Sequence, residues 1–165
     1  MPHWLETALK YLGLAEVKGP KHNPTIVKWW RLIRAPFTDD ETAWCAAFVG
    51  GVLAEAGIRS SRSAAARSYL KWGTPLPGPA VGAVVVFWRK SPASPFGHVA
   101  FVVGRDAYGN LMALGGNQGD KVSIAPFDPD RVLAYRWPEG EPLPAAGWLT
   151  LPMVQSDGKA SANEA

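Results

Sequence analysis

The 165 residues have the length of one ordinary domain, long enough to bury a core without disulfide or metal staples. Hydrophobic residues make up 47% and charged residues 19%, which excludes a disordered chain, and a net charge of +3 with no Lys/Arg run argues against nucleic acid as a partner. A single cysteine excludes an intrachain disulfide, and no run reaches the ~20 apolar residues of a membrane span.

The opening Met1-Pro2-His3-Trp4-Leu5-Glu6 has neither the basic stretch nor the apolar run of a signal peptide. The expectation is a monomer made soluble in the cytoplasm, without stable membrane insertion, that acts elsewhere only after release or delivery. Trp4, Leu5, Ala8, Leu9 and Leu12 share one face of a first helix, which stops at Gly13. Asn23-Pro24 starts a second, with asparagine as N-cap and proline in the first turn. Ile26, Val27, Trp30 and Ile33 keep its period until Ala35-Pro36. The third helix has the clearest period, through Cys45, Phe48, Val49, Val52, Leu53 and Ala56, and Gly57 ends it. Asp39, Asp40, Glu41 and Thr42 precede it and complement its positive end. A short fourth helix is expected over residues 63–72.

The pattern then changes. Residues 74–79 are rich in turn formers, 83–88 are β-branched and aromatic, and 99–103 read as a second strand. Residues 106–110 turn a hairpin into 111–114, and 122–124 and 132–137 complete an antiparallel sheet. The fold class is therefore α+β, N-terminal helices packed on a small antiparallel β-sheet. Residues 1–138 are expected to form this domain and 139–165 a Pro/Ala-rich tail, disordered from 156. Trp30, Trp72 and Trp88 fall on faces expected to be buried in the core.

Cys45 lies in the first turn of its helix, where backbone N–H groups and the helix dipole favour the nucleophilic thiolate. The alternative is a small core residue on an apolar stripe. Among the three histidines, His3 sits at the terminus and His22 in a loop. His98 opens a strand, with Gly97 before it for clearance, and is placed to face a helix start; the alternative is a structural histidine. Asn117, in Gly115-Gly116-Asn117-Gln118-Gly119, could hold the imidazole in one tautomer, or simply turn the chain. The order Cys, His, Asn is the sequence form of a cysteine-hydrolase triad whose members meet only in the fold.

The segments Thr42-Ala43-Trp44-Cys45-Ala46-Ala47-Phe48-Val49, Gly97-His98-Val99 and Gly115-Gly116-Asn117-Gln118 follow one another in that order. Together they resemble the CHAP and NlpC-type cysteine peptidoglycan hydrolases, and more narrowly an endolysin-like branch found in phages and bacteria. Residues 13–16 and Asn23-Pro24-Ile26 are similar too, so the resemblance covers residues 4–137. It implies a papain-like fold with Cys45 as nucleophile, His98 as general base and then acid, and Asn117 as the orienting residue. Trp44 beside the nucleophile, Asp40 and Glu41 for substrate amines or amides, and Gln118 are the candidate substrate contacts. Two departures follow from the residues. Gly115 stands where many CHAP domains carry an acid two places before the asparagine. Ala47 and the spacing of Asp39, Asp40 and Glu41 do not match a calcium site, so neither metal nor other cofactor is expected.

The implied partner is the peptidoglycan peptide stem, cut within the peptide (endopeptidase) or between sugar and stem (N-acetylmuramoyl-L-alanine amidase). The leading reading is a wall-lytic enzyme of the endolysin type; a secreted antibacterial effector of the same fold, with an immunity protein as partner, is an alternative. Other readings are a binding module that holds wall peptide without cutting it, and an acyltransferase on the same fold.

Overall fold

The Asn23 side chain accepts the Thr25 N–H at 2.9 Å, and Pro24 occupies the first turn, where no backbone donor is required. Helix α2 accordingly runs Pro24–Leu32, between α1 (His3–Leu9) and α3 (Cys45–Glu55). The computed structural model describes residues 1–17, 21–37 and 43–155. The acidic stretch Asp39, Asp40 and Glu41 lies outside them, as does the end expected to be disordered from residue 156.

Helix α3 is buried on all sides from Cys45 to Leu53, so it is the central helix rather than an amphipathic one. Helix α2 crosses it at close range. A Cβ added at Gly51 would lie 2.1 Å from the Trp29 ring, so only glycine lets the indole lie against the helix backbone. Gly51→Ala is expected to lower stability by about 1–3 kcal/mol, although alanine is ordinarily the better helix former. Urea unfolding checks this, and an unchanged midpoint would mean that Trp29 yields without cost.

Six strands among the described residues form one antiparallel sheet: β1 (Thr74–Pro75), β2 (Val84–Trp88), β3 (Gly97–Arg105), β4 (Leu111–Gly115), β5 (Ser123–Phe127) and β6 (Val132–Trp137). Their order is β1-β6-β2-β3-β4-β5. The sheet curls strongly. Phe127 of β5 stacks on Phe87 of β2 at 4.4 Å, although β3 and β4 lie between those strands. Helix α3 meets β3 through Phe48 and Phe101, ring to edge at 6.0 Å. One apolar core thus ties the start of α3 to the start of β3.

The α+β class and five strands follow the expectation; three local readings change. The fourth helix is a short 3-10 turn, Ala66–Lys71. The turn-rich stretch after it contributes β1, because Leu76 donates its N–H to Tyr135 O (2.9 Å) and the edge position tolerates Pro75. The residues after Trp137, read as a tail, run along the domain: Leu151 is buried and Val154 donates to Arg105 O at 2.8 Å. Among the tryptophans, Trp30 is buried, but Trp72 and Trp88 are half-buried, and Trp29 and Trp44 fill the core instead. No helix of the described residues is long and apolar enough to cross a membrane.

Candidate active site

Cys45 is the first residue of α3, as its sequence context predicts, and is 4% exposed. Its sulfur receives the backbone N–H of Val99, the residue after His98, so the helix start and the strand start meet at this thiol. Burial pushes the Cys45 thiol above its ordinary value. The N–H groups of Val99, Ala46 and Cys45 itself, and the charge of Arg89, pull the other way without offsetting burial. The helix start therefore moderates the cost of a thiolate but does not make it the resting form.

The His98 ring lies in an aromatic stack, 5.4 Å from Phe127 and 6.3 Å from Phe87, with interplanar angles of 19° and 24°. Phe87 is also its partner across the β2–β3 ladder. The stack fixes the ring plane, and a hydrogen bond fixes its rotation: His98 Nε2 lies 2.9 Å from Gln118 Oε1. The Gln118 amide NH2 is committed to two carbonyls, Ser123 O (2.8 Å) and Ala113 O (3.3 Å). Its Oε1 must therefore face the ring and accept, so Nε2 carries the proton and Nδ1 the lone pair.

This changes the reading of the Gly-Gly-Asn-Gln segment. Gln118, expected as a substrate contact, is buried beneath the site and hydrogen-bonded on all sides. Asn117, expected to orient the imidazole, is also buried, but its Oδ1 has no hydrogen-bond partner among the described residues. The physical reason is the turn. Asn117 adopts the left-handed region (φ 58°), which breaks the alternation of the preceding strand and folds the next side chain under the loop. The loop rests directly on α3, since a Cβ at Gly116 would lie 2.6 Å from Phe48 and 2.7 Å from the Trp44 ring. Residues 13–16 brace it from outside: Gly13 donates to Val122 O (2.8 Å), and Glu16 to Asp120 O (3.1 Å).

Trp44 is likewise corrected. It is fully buried, stacked on Trp29 at 6.2 Å, with Nε1 donating to Glu16 Oε1 at 3.3 Å. A buried indole offers no surface to a ligand; it anchors the segment before Cys45. Asp40 and Glu41 fall among the residues not described.

A small pocket of about 230 Å³ opens on Cys45. Ala64, Ala65 and Ala66 form one wall, and Arg89, Phe96 and Gly97 another. The second wall is held by Arg67, whose guanidinium donates to the carbonyls of Phe96 (2.8 Å), Pro92 (3.0 Å) and Ser91 (3.3 Å). Neither arginine was singled out from the sequence. Arg89 follows the last residue of a buried strand beside the nucleophile, the one signal that marks it. No group of three or more metal-ligating side chains occurs among the described residues.

A thiol at a helix start thus opens on a pocket and takes the backbone N–H of Val99, next to His98 in the strand. The family model of the CHAP domain matches residues 37–117, which span both residues. This stretch is a CHAP domain. No curated protein matches the chain. The α+β architecture is consistent with the papain-like fold of CHAP domains, and membership implies peptidoglycan-directed amidase or peptidase chemistry that depends on cysteine and histidine. Within the CHAP match lie α3, the start of β3 and the Arg89 wall, while Gln118 falls one residue beyond its end.

Proposed function

We propose that the protein hydrolyses an amide bond of peptidoglycan, with Cys45 as nucleophile and His98 as general base and then general acid. The observation that carries this is the convergence of the Cys45 sulfur with the strand start at His98–Val99, at a pocket open to a substrate. His98 Nδ1 takes the thiol proton, and the thiolate attacks the amide carbonyl. The Cys45 backbone N–H stabilises the oxyanion at the helix start. The tetrahedral adduct collapses, its C–N bond breaks, and His98 protonates the departing amine. Water then attacks the thioester, His98 taking its proton, and releases the carboxylate and the thiol.

Gln118 positions the imidazole from below, the role first given to Asn117. Asp40 and Glu41, five and four residues before the nucleophile, are retained as contacts for substrate amines. The proposed setting is a wall-lytic enzyme, of endolysin or delivered-effector type, acting as a monomer; a net charge of +3 favours approach to an anionic wall. The test is release of new amino groups from purified wall, with Cys45→Ala as the control.

Because burial holds the thiol above its ordinary value, little thiolate exists at neutral pH. Alkylation of Cys45 by iodoacetamide is expected to be slow at pH 7 and to accelerate through and beyond the ordinary thiol range near about 8.5. A rate of alkylation that is already maximal at pH 6 would show a preformed thiolate and overturn this order of events.

A further inference from the structure

Arg89 is half-buried, directly after β2, and lines the same pocket as Cys45. Among the described lining residues it is the only cation; its neighbours there are alanines, a proline, a phenylalanine and a glycine. Its guanidinium makes no ion pair or hydrogen bond among the described residues, in contrast to Arg67, Arg131 and Arg136, which all donate to carbonyls. It nevertheless stands close enough for its charge to act on the Cys45 sulfur. Its backbone is not adjustable, since Arg89 donates its N–H to Phe96 O (3.3 Å) across a loop that Arg67 clamps. A planar, permanently charged fork held at the rim of a mostly apolar pocket is suited to a carboxylate, which it can bind through two parallel hydrogen bonds.

We propose that Arg89 binds a free carboxylate on the substrate next to the scissile amide. This rests on the hydrolase reading and sharpens it. The amide that joins the glycan to the stem links a lactyl group to an alanine, and neither carries a free carboxylate. Amides farther along the stem and in its cross-links adjoin acidic or diamino-acid residues that do. Arg89 thus makes the enzyme an endopeptidase of the stem or its cross-links, not an amidase at the sugar. It is a specificity-determining contact: it touches the substrate beside the reacting atoms and takes no proton.

The test uses a synthetic stem peptide of L-alanine, γ-linked D-glutamate, meso-diaminopimelate and D-alanine, its cross-linked dimer, and variants in which each free carboxylate in turn is a carboxamide. A glycan-linked stem is assayed in parallel. Wild-type enzyme is expected to cut the stem peptide, and one amidation should lower kcat/KM about 10- to 100-fold, the worth of a charge-assisted pair. Arg89→Gln should cut free and amidated peptides within about twofold of each other, and Arg89→Lys should keep part of the preference. Wild-type enzyme that cuts all the peptides equally overturns the proposal, whether or not the variants fold. So does a preference that survives in Arg89→Gln, or cleavage confined to the glycan-linked amide. Absence of any Cys45-dependent cleavage, in peptides and in glycan-linked stem alike, overturns the hydrolase reading itself.

Discussion

Cys45→Ala is expected to abolish clearing of permeabilised cells or purified wall, a loss of at least about 10³-fold, while the fold persists. The loss follows from mechanism: without the thiol no thioester forms, and the helix-start N–H groups and the pocket retain only weak assistance to water. The fold persists because the site already treats Cys45 as a small apolar residue. It sits within the core cluster, and removing one sulfur from the rim of a pocket changes stability by less than about 1 kcal/mol. The pH dependence separates the variant further. The folded thiol keeps its proton beyond the point where the unfolded chain loses its own, near about pH 8.5. That contribution is complete below this value and declines as pH rises through the folded value. Alanine carries no such proton, so the variant gains on wild type above about pH 9. Turbidity assays and unfolding midpoints at pH 7 and 9.5 check both parts. Equal clearing by the two proteins would remove Cys45 from the mechanism.

The second large effect concerns Gln118. Gln118→Ala leaves the His98 ring N–H and the carbonyls of Ala113 and Ser123 without their partner in a buried site. Each such group costs about 1–3 kcal/mol, so a loss of stability near 3 kcal/mol is expected. Activity should fall about 100-fold, mainly in kcat, because the imidazole loses the contact that fixes its tautomer. Gln118→Glu distinguishes positioning from mere support. It keeps the side-chain volume but places a carboxylate against Nε2, which favours imidazolium and moves the acidic limb of the rate profile, where the general base is lost, to higher pH. Asn117→Ala should cost about threefold or less in kcat, with about 1 kcal/mol of stability for alanine in a left-handed turn. If Asn117→Ala loses the activity and both Gln118 variants keep it with an unmoved pH profile, the asparagine orients the ring after all.

The contrast between these neighbours shows where sequence reasoning reaches and where it stops. Asn23-Pro24 states its helix start in two residues, because capping is a local matter between a side chain and an N–H two places on. Cys45 is equally legible as a first-turn residue, and the continuous burial of β3 follows from its apolar run. The assignment within Asn117-Gln118 is not local. Which amide reaches His98 depends on a left-handed residue, on Gly116 resting against Trp44, and on acceptors supplied by β4 and β5. The same limit explains Trp44. Its place beside the nucleophile in sequence suggests a cleft wall, but the backbone turns the indole inward, where Trp29 and Glu16 receive it. The full burial of α3 was hidden because its Gly50-Gly51 step, polar-neutral in sequence, is covered, Gly50 by Ile33 and Gly51 by the ring of Trp29.

The Arg67 clamp has a consequence for how this protein can diverge. Its three hydrogen bonds grip main-chain oxygens of Ser91, Pro92 and Phe96, and every amino acid supplies such an oxygen. The shape of that segment is therefore held from outside by one side chain, and from within by the Ser94 hydroxyl, which donates to Arg89 O and accepts the Phe96 N–H. Residues 91–96 can accumulate replacements at their exposed positions while the pocket keeps its outline. A lineage that meets a wall of different chemistry can retune the lip of the site by point changes, with the thiol, the imidazole and their scaffold left untouched.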